Sequence, residues 1–137
     1  MLTGAFIFLA DLIRKITIPV KIDFIGASSY GTATQSSGDI RITKELSTDV
    51  ENINVLIVED IVDTGLTLAY LIDYVQSFRP KSVRVCTLLD KKERRLSPIK
   101  VDYACRVVKD RFIVGYGLDF AGEYRQLPEI FYLKSKD

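Results

Sequence analysis

The chain contains no histidine and no tryptophan. Without histidine it cannot assemble a Ser-His-Asp or Cys-His nucleophile, nor a zinc site that needs imidazole. Cysteine is scarce too: Cys86 and Cys105 stand far apart, without Cys-x-x-Cys spacing and within apolar-patterned segments. Free buried thiols in a reducing cytoplasm are expected, not a disulfide. Charge of one sign is also missing, since 19 basic residues face 18 acidic ones for a net charge of +1. No nucleic acid partner is expected from that balance, and any metal must be held by oxygen, which points to magnesium. The one long apolar run, "MLTGAFIFLADLIRKI", lacks a basic start and is interrupted by Asp11 and Arg14. It falls short of the roughly 20 residues of a membrane span and reads as a buried helix.

What is present describes an ordinary single domain, residues 1–137, with 47% apolar residues and enough length to bury a core. Periodicity predicts a helix over Ala5 to Ile16, closing before Pro19, and a short strand from Lys21 to Ile25 ended by Gly26. "YGTATQSSG", Tyr30 to Gly38, is polar and aperiodic, a loop suited to a lid of about residues 29–39. "DIRIT" alternates as a strand. Val55 to Val58 is an unbroken apolar run of the kind covered on both faces in a parallel sheet. Leu68, Leu71, Ile72, Val75 and Phe78 then recur at helical spacing, and "VRVCTLL" completes a β-α-β unit. The charged connection "DKKERRLSPIK" and the strand-like "VDYACRVV", "FIVGYGL" and "EIFYL" follow. The fold class is α/β, a mostly parallel twisted sheet flanked by helices.

The stretch "VLIVEDIVDTGLTL" sets Glu59, Asp60 and Asp63 at the end of its apolar run. Three carboxylates buried without partners would cost several kcal/mol each, so they should be solvated at the strand's exit or face a ligand. Ligands of such sheets bind outside the carboxyl ends of the strands. Asp63, Thr64 and Gly65 form the turn into the helix, whose N-terminus offers N–H donors and positive dipole density to a phosphate, with Thr64 and Thr67 adding hydroxyls. Carboxylates beside a phosphate make sense when the ligand also carries hydroxyls to donate. A ribose 5-phosphate satisfies both.

At this point the stretch resembles the phosphoribosyl-pyrophosphate (PRPP) motif of the type I phosphoribosyltransferases. "LTGAFIFLADL", "SSY…SSGDI", "LLDKKERR" and "RFIVGYGLDFAGEYRQLPEI" resemble, in order, blocks of the hypoxanthine-guanine phosphoribosyltransferases. The resemblance spans essentially the whole chain.

It implies a type I phosphoribosyltransferase fold and purine salvage: magnesium-dependent transfer of the 5-phosphoribosyl group from PRPP to hypoxanthine or guanine, giving IMP or GMP and pyrophosphate. Glu59 and Asp60 are implied for the ribose hydroxyls and a metal, Asp63 as the acid/base residue beside purine N7, and Asp63, Thr64, Gly65 and Thr67 for the 5′-phosphate. Lys91, Phe112, Ile113 and Asp119 are implied for the purine under a C-terminal hood, with Lys91 donating to its 6-oxo group, Phe112 stacking on the ring and the Ile113 backbone at its edge. Asp119 is also implied for a second metal, and Arg125 for the pyrophosphate. Thr3 and Gly4 match the pyrophosphate loop, where the family uses a non-proline cis peptide, and Ser29 and Tyr30 the start of the lid. A cytoplasmic homodimer or homotetramer is implied as well.

Two other readings compete. "VDTG" is also an aspartic protease signature, but those domains are almost all β, and the helical spacing after Leu68 contradicts it. A catalytically impaired or RNA-binding regulator on the same fold retains the PRPP motif, whereas the blocks around Lys91, Phe112 and Asp119 favour the purine enzyme. Family members usually begin upstream with an apolar strand that runs into the block matching "LTGAF". The first strand of the sheet is therefore expected to be missing here, as in an N-terminally truncated chain, leaving unpaired backbone on its neighbour, a gap under the first helix and no support for a cis peptide at Thr3-Gly4.

Overall fold

The first helix begins earlier than its apolar pattern predicts. In the computed structural model, which describes residues 2–29 and 40–133, α1 spans Leu2–Ile13. Ala5 and Phe8 are buried along one side of it, while Phe6 is half exposed. Thr3 and Gly4 consequently lie in the first turn of α1 and form no loop, and no described peptide bond is cis. Ala5 and Phe8 lie three apart on the buried side of one helix, and its first turn extends back over Thr3 and Gly4 in place of an open loop.

No strand forms over Lys21 to Ile25; the extended segment that pairs comes later, as β1, Gly26–Ser29, antiparallel to β2, Ile40–Lys44. A side chain takes the place of a ladder there. The Asp23 carboxylate accepts the backbone N–H groups of Phe24, Ser47 and Thr48 at 2.7–2.8 Å and pairs with Lys44 Nζ at 3.2 Å. Burial of Asp23 opposes the charge, yet these donors hold its carboxyl well below the usual carboxylate range. The proposed lid segment from Tyr30 onward falls among residues outside the described ones, and Ser29 is the last residue of β1.

The parallel sheet consists of β3, Asn54–Val62, β4, Ser82–Asp90, and β5, Tyr103–Val107, with β4 in the centre. α2, Leu66–Gln76, connects the first two and buries Leu68, Leu71 and Val75. β3 is longer than the apolar run Val55 to Val58, because pairing with β4 continues through Val62 opposite Asp90. It is also less covered than that run implies: Leu56 is 42% exposed, and among the described residues β3 pairs with β4 alone. Between α1 and β3 lies a cavity of about 570 Å³ lined by Leu9, Leu12, Ile13, Val55, Ile57 and Leu71. On the far side β5 is exposed along its whole length, and Cys105 within it is exposed too, unlike buried Cys86, because no described element packs over the edge strand.

After β5 the chain makes a small hood. β6, Ile113–Val114, pairs antiparallel with β7, Phe131–Tyr132, across tight turns between them. Ile113 and Leu118 pack with Leu89 and Val108, which fixes the hood to the end of β4. The Tyr116 hydroxyl donates to the Asp11 carboxylate of α1, a bond that pushes the Tyr116 pKa up to about 12. Gly117, at φ +99°, approaches so closely that a Cβ there would stand 2.4 Å from the carbonyl oxygen of Gly4. The hood, α1 and β3 therefore meet at one point. No described helix is long and apolar enough to cross a membrane.

Candidate active site

Glu59 and Asp60 do not sit at the exit of a strand, as the apolar pattern predicts. They lie inside β3 and are 9% and 8% exposed. The reason is the longer ladder, which carries the strand past both acids before it turns at Asp63. Burial pushes both carboxyl groups up from their ordinary pKa, and the Arg125 guanidinium is among the charges that draw Asp60 back down. A buried acid whose charge is costly, as at Asp60, is suited to a cation or to hydroxyl donors.

Asp63, Thr64 and Gly65 form the turn out of β3. Gly65 caps α2 at φ +81°, a left-handed conformation natural to glycine, with no side chain bonded across the cap. The first turn of α2 carries no acid. Leu66 N–H reaches Thr64 Oγ1 at 3.5 Å, and the helix N-terminus, with Thr67 in its first turn, offers a position suited to an anion. Asp63 Oδ1 is shielded from solvent and takes no hydrogen bond; Arg94 Nε lies 3.3 Å away without bonding geometry. A buried acceptor left over in this way is a place for a donor from outside the chain.

From Asp63 a charged chain leads to the base side. Arg94 Nη1 is 3.6 Å and Lys91 Nζ 3.5 Å from Asp110 Oδ1. Lys91 itself is 7% exposed, held by its N–H to Val62 O at 2.9 Å. Phe112 and Phe120, both about half exposed, meet edge to face at 5.2 Å, leaving aromatic surface open to solvent. Opposite Tyr132, Ile113 occupies a non-hydrogen-bonded position, because Leu133 N–H donates to Phe112 C=O one residue further out. The N–H and C=O of Ile113 therefore point away from β7.

Arg125 and Asp119 form a pair of their own. Arg125 Nη2 is 2.9 Å from Asp119 Oδ1, its Nη1 donates to Gly117 O at 2.6 Å, and Asp119 Oδ2 accepts Gly122 N–H. Asp119 does not join Glu59 and Asp60, and no described cluster of three acidic, cysteine or histidine side chains exists. Gly4 reaches the same region from α1: a Cβ on it would fall 1.8 Å from Asp60 Oδ2. The structure thus brings Gly4, Asp60 and Arg125 together, although not in the loop geometry expected for Thr3 and Gly4; Thr3 is exposed on α1.

Sequence reasoning passed over Asp90, Arg94, Arg95 and Asp110. Asp90 is buried at 1% exposure and paired with Arg95, whose Nε donates to Asp63 O at 3.2 Å. The acid directly before "KKERR", Asp90, was the available signal, but periodicity does not say which charges fold inward.

A family model for the phosphoribosyl transferase domain matches residues 1–121. The chain belongs to that family. Within it, the chain is 48% identical over 134 residues to the hypoxanthine-guanine phosphoribosyltransferase of Bacillus subtilis, covering 98% of this chain and 74% of that protein. It is 49% identical to the enzyme of the same name from Aquifex aeolicus, over 96% of this chain and 74% of the relative. The solved hypoxanthine-guanine phosphoribosyltransferase of Bacillus anthracis superposes with a TM-score of 0.92 at 47% identity, over 97% of this chain and 78% of that one. A Trypanosoma cruzi hypoxanthine phosphoribosyltransferase gives 0.91 at 43% identity, over 97% and 70%. The type I phosphoribosyltransferase fold is thereby shown, and so is the hypoxanthine phosphoribosyltransferase branch.

Proposed function

We propose that this phosphoribosyltransferase transfers the 5-phosphoribosyl group of PRPP to a 6-oxopurine, hypoxanthine or guanine, releasing pyrophosphate. The observation that carries this reading is Asp63 Oδ1, a shielded acceptor without a hydrogen bond beside the open N-terminus of α2. A 5′-phosphate on that N-terminus would take N–H donors from the turn Asp63 to Thr67, and Asp63 would accept the N7 proton as N9 attacks C1 of the ribose. The C1–oxygen bond to pyrophosphate breaks as the N9–C1 bond forms.

Glu59 and Asp60 suit ribose hydroxyls, because a buried carboxylate gains from each O–H donor. Arg125 lies where it can lend positive charge to the leaving pyrophosphate once it releases Asp119. Phe112 offers a face for stacking, Ile113 a free backbone edge, and Lys91 three donors, of which one can meet the 6-oxo oxygen while Asp110 keeps another. Thr3 and Gly4 would serve the pyrophosphate from the first turn of α1, where Gly4 adjoins Asp60.

The donor set fits magnesium through the carboxylates of Glu59 and Asp60 on one side and Asp119 on the other, each ion completed by substrate oxygens and water, the arrangement this ion usually takes. When bound, it would supply positive charge to the departing oxygens. We further assign the chain to a single domain of residues 1–137, with Ser29, Tyr30 and the rest of 29–39 as its lid. It is assigned to the cytoplasm, where Cys86 and exposed Cys105 stay free, and to a homodimer or homotetramer.

The test is IMP or GMP formation by the purified chain from PRPP, magnesium and each base. Absence of product with both bases would remove the reading; structured RNA retained on a filter in place of catalysis would support the regulator instead.

A further inference from the structure

The Asp90–Arg95 pair is the most buried ion pair among the described residues, with side chains 2% and 17% exposed, and neither residue faces the ligand positions assigned above. Asp90 closes β4 and is fixed from both sides, opposite Val62 of β3 and Val107 of β5. Arg95 follows the single 3-10 turn Lys92–Arg94 and uses its fork in two directions. Nη2 pairs with Asp90 Oδ1, while Nε donates to the carbonyl oxygen of Asp63 at 3.2 Å. Arg95 Cδ also fills the space beneath Gly65, where a Cβ would stand 2.9 Å from it. The next two residues complete the clamp: Leu96 and Ser97 N–H both donate to Thr64 O, at 2.9 and 3.2 Å.

These bonds determine which way the turn presents its donors. In a trans peptide the C=O and the following N–H point in opposite directions. With Asp63 O drawn back to Arg95, the Thr64 N–H is turned away from Arg95. With Thr64 O drawn back to Leu96 and Ser97, the Gly65 N–H is turned the same way, out of the clamp. A flip of either peptide would aim a carbonyl dipole where a phosphate is to be held.

We propose that Arg95, anchored by Asp90, is a positioning residue that sets the Thr64 and Gly65 N–H groups toward the ribose 5′-phosphate of PRPP. The same loop begins with Lys91, so the phosphate turn and the base donor are held as one unit. This rests on the phosphate-turn reading given above.

Arg95→Lys is the sharpest probe. A lysine can pair with Asp90 but, as a single ammonium without a fork, does not reach Asp63 O as well. The KM for PRPP is expected to rise about 10-fold or more, while the KM for hypoxanthine stays within about 2-fold and Tm holds. Arg95→Met should show a larger loss, and 15N relaxation should show lower order at Thr64 and Gly65 in both variants without any ligand. Equal rises in both KM values, or unchanged order at the turn, overturn the proposal. A native chain that makes no IMP, with order still lost in the variants, sinks the proposed transfer reaction and leaves only the ordering of the Thr64 and Gly65 turn by Arg95.

Discussion

Gly4 of α1 lies so close to Asp60 of β3 that a methyl group at position 4 would stand 1.8 Å from the Asp60 carboxylate oxygen Oδ2. Asp60 is 8% exposed and has little room to swing away. Alanine is otherwise the better helix residue by up to about 1 kcal/mol. Gly4→Ala should therefore lower Tm by about 5 °C or more, overpacking outweighing the helix gain, while raising the KM for PRPP and lowering kcat/KM about 10-fold or more, as the carboxylate is displaced. Thermal melts beside steady-state kinetics check this, and unaltered kinetics would exclude Asp60 from the ribose site.

Asp63→Asn should lower kcat by roughly 10- to 1000-fold, the scale of general acid/base assistance, with PRPP affinity changed little. The backbone carbonyl that Arg95 holds is untouched by the substitution, so the turn keeps its shape. Calorimetric PRPP binding and single-turnover IMP synthesis separate the two effects. Undiminished turnover removes Asp63 from proton transfer.

Lys91→Ala should raise the KM for hypoxanthine more than that for PRPP. A donor at the 6-position also rejects adenine, whose amino group would leave both donors unpaired, a discrimination on the order of 10⁴-fold where a site is built for it. Comparing adenine with hypoxanthine in the native protein and the variant checks the assignment. Equal turnover of both bases by the native protein would refute it.

Asp23 predicts an acid limb of stability. Its folded pKa is lowered by the donors of Thr48, Phe24, Ser47 and Lys44 against the cost of burial. For a lowered carboxyl pKa, the stabilisation is complete above the unfolded value of about 3.9 and is lost as pH falls through the folded one. Asp23→Ala should lower Tm at pH 7 by about 5 °C or more and show a weaker fall in Tm below pH 4 than the native chain. Parallel melting curves of the two proteins across the acid range would contradict the role given to Asp23.

The sequence by itself carried the α/β class, the helix after Gly65, the β-α-β unit that joins the strand at Val55 to Val58 to "VRVCTLL", and the turn Asp63-Thr64-Gly65, because each follows from local periodicity or turn chemistry. A run of branched apolar residues and a glycine at a helix start constrain the backbone wherever they occur. Tertiary contacts decided the rest. Lys21 to Ile25 has the composition of a strand, yet Asp23 bonds the backbone of Ser47 and Thr48, a partnership that no local pattern contains. Glu59 and Asp60 read as acids at the exit of a strand, solvated or facing a ligand, but ladder pairing through Val62 sets both inside β3 and buries them. "KKERR" reads as one charged surface; burial of Asp90 at the end of the central strand selects Arg95 from that run and carries it to the carbonyl of Asp63. Local sequence fixes which conformations a segment prefers, whereas the choice of partner for a charge depends on residues that only the folded chain brings within a few ångströms.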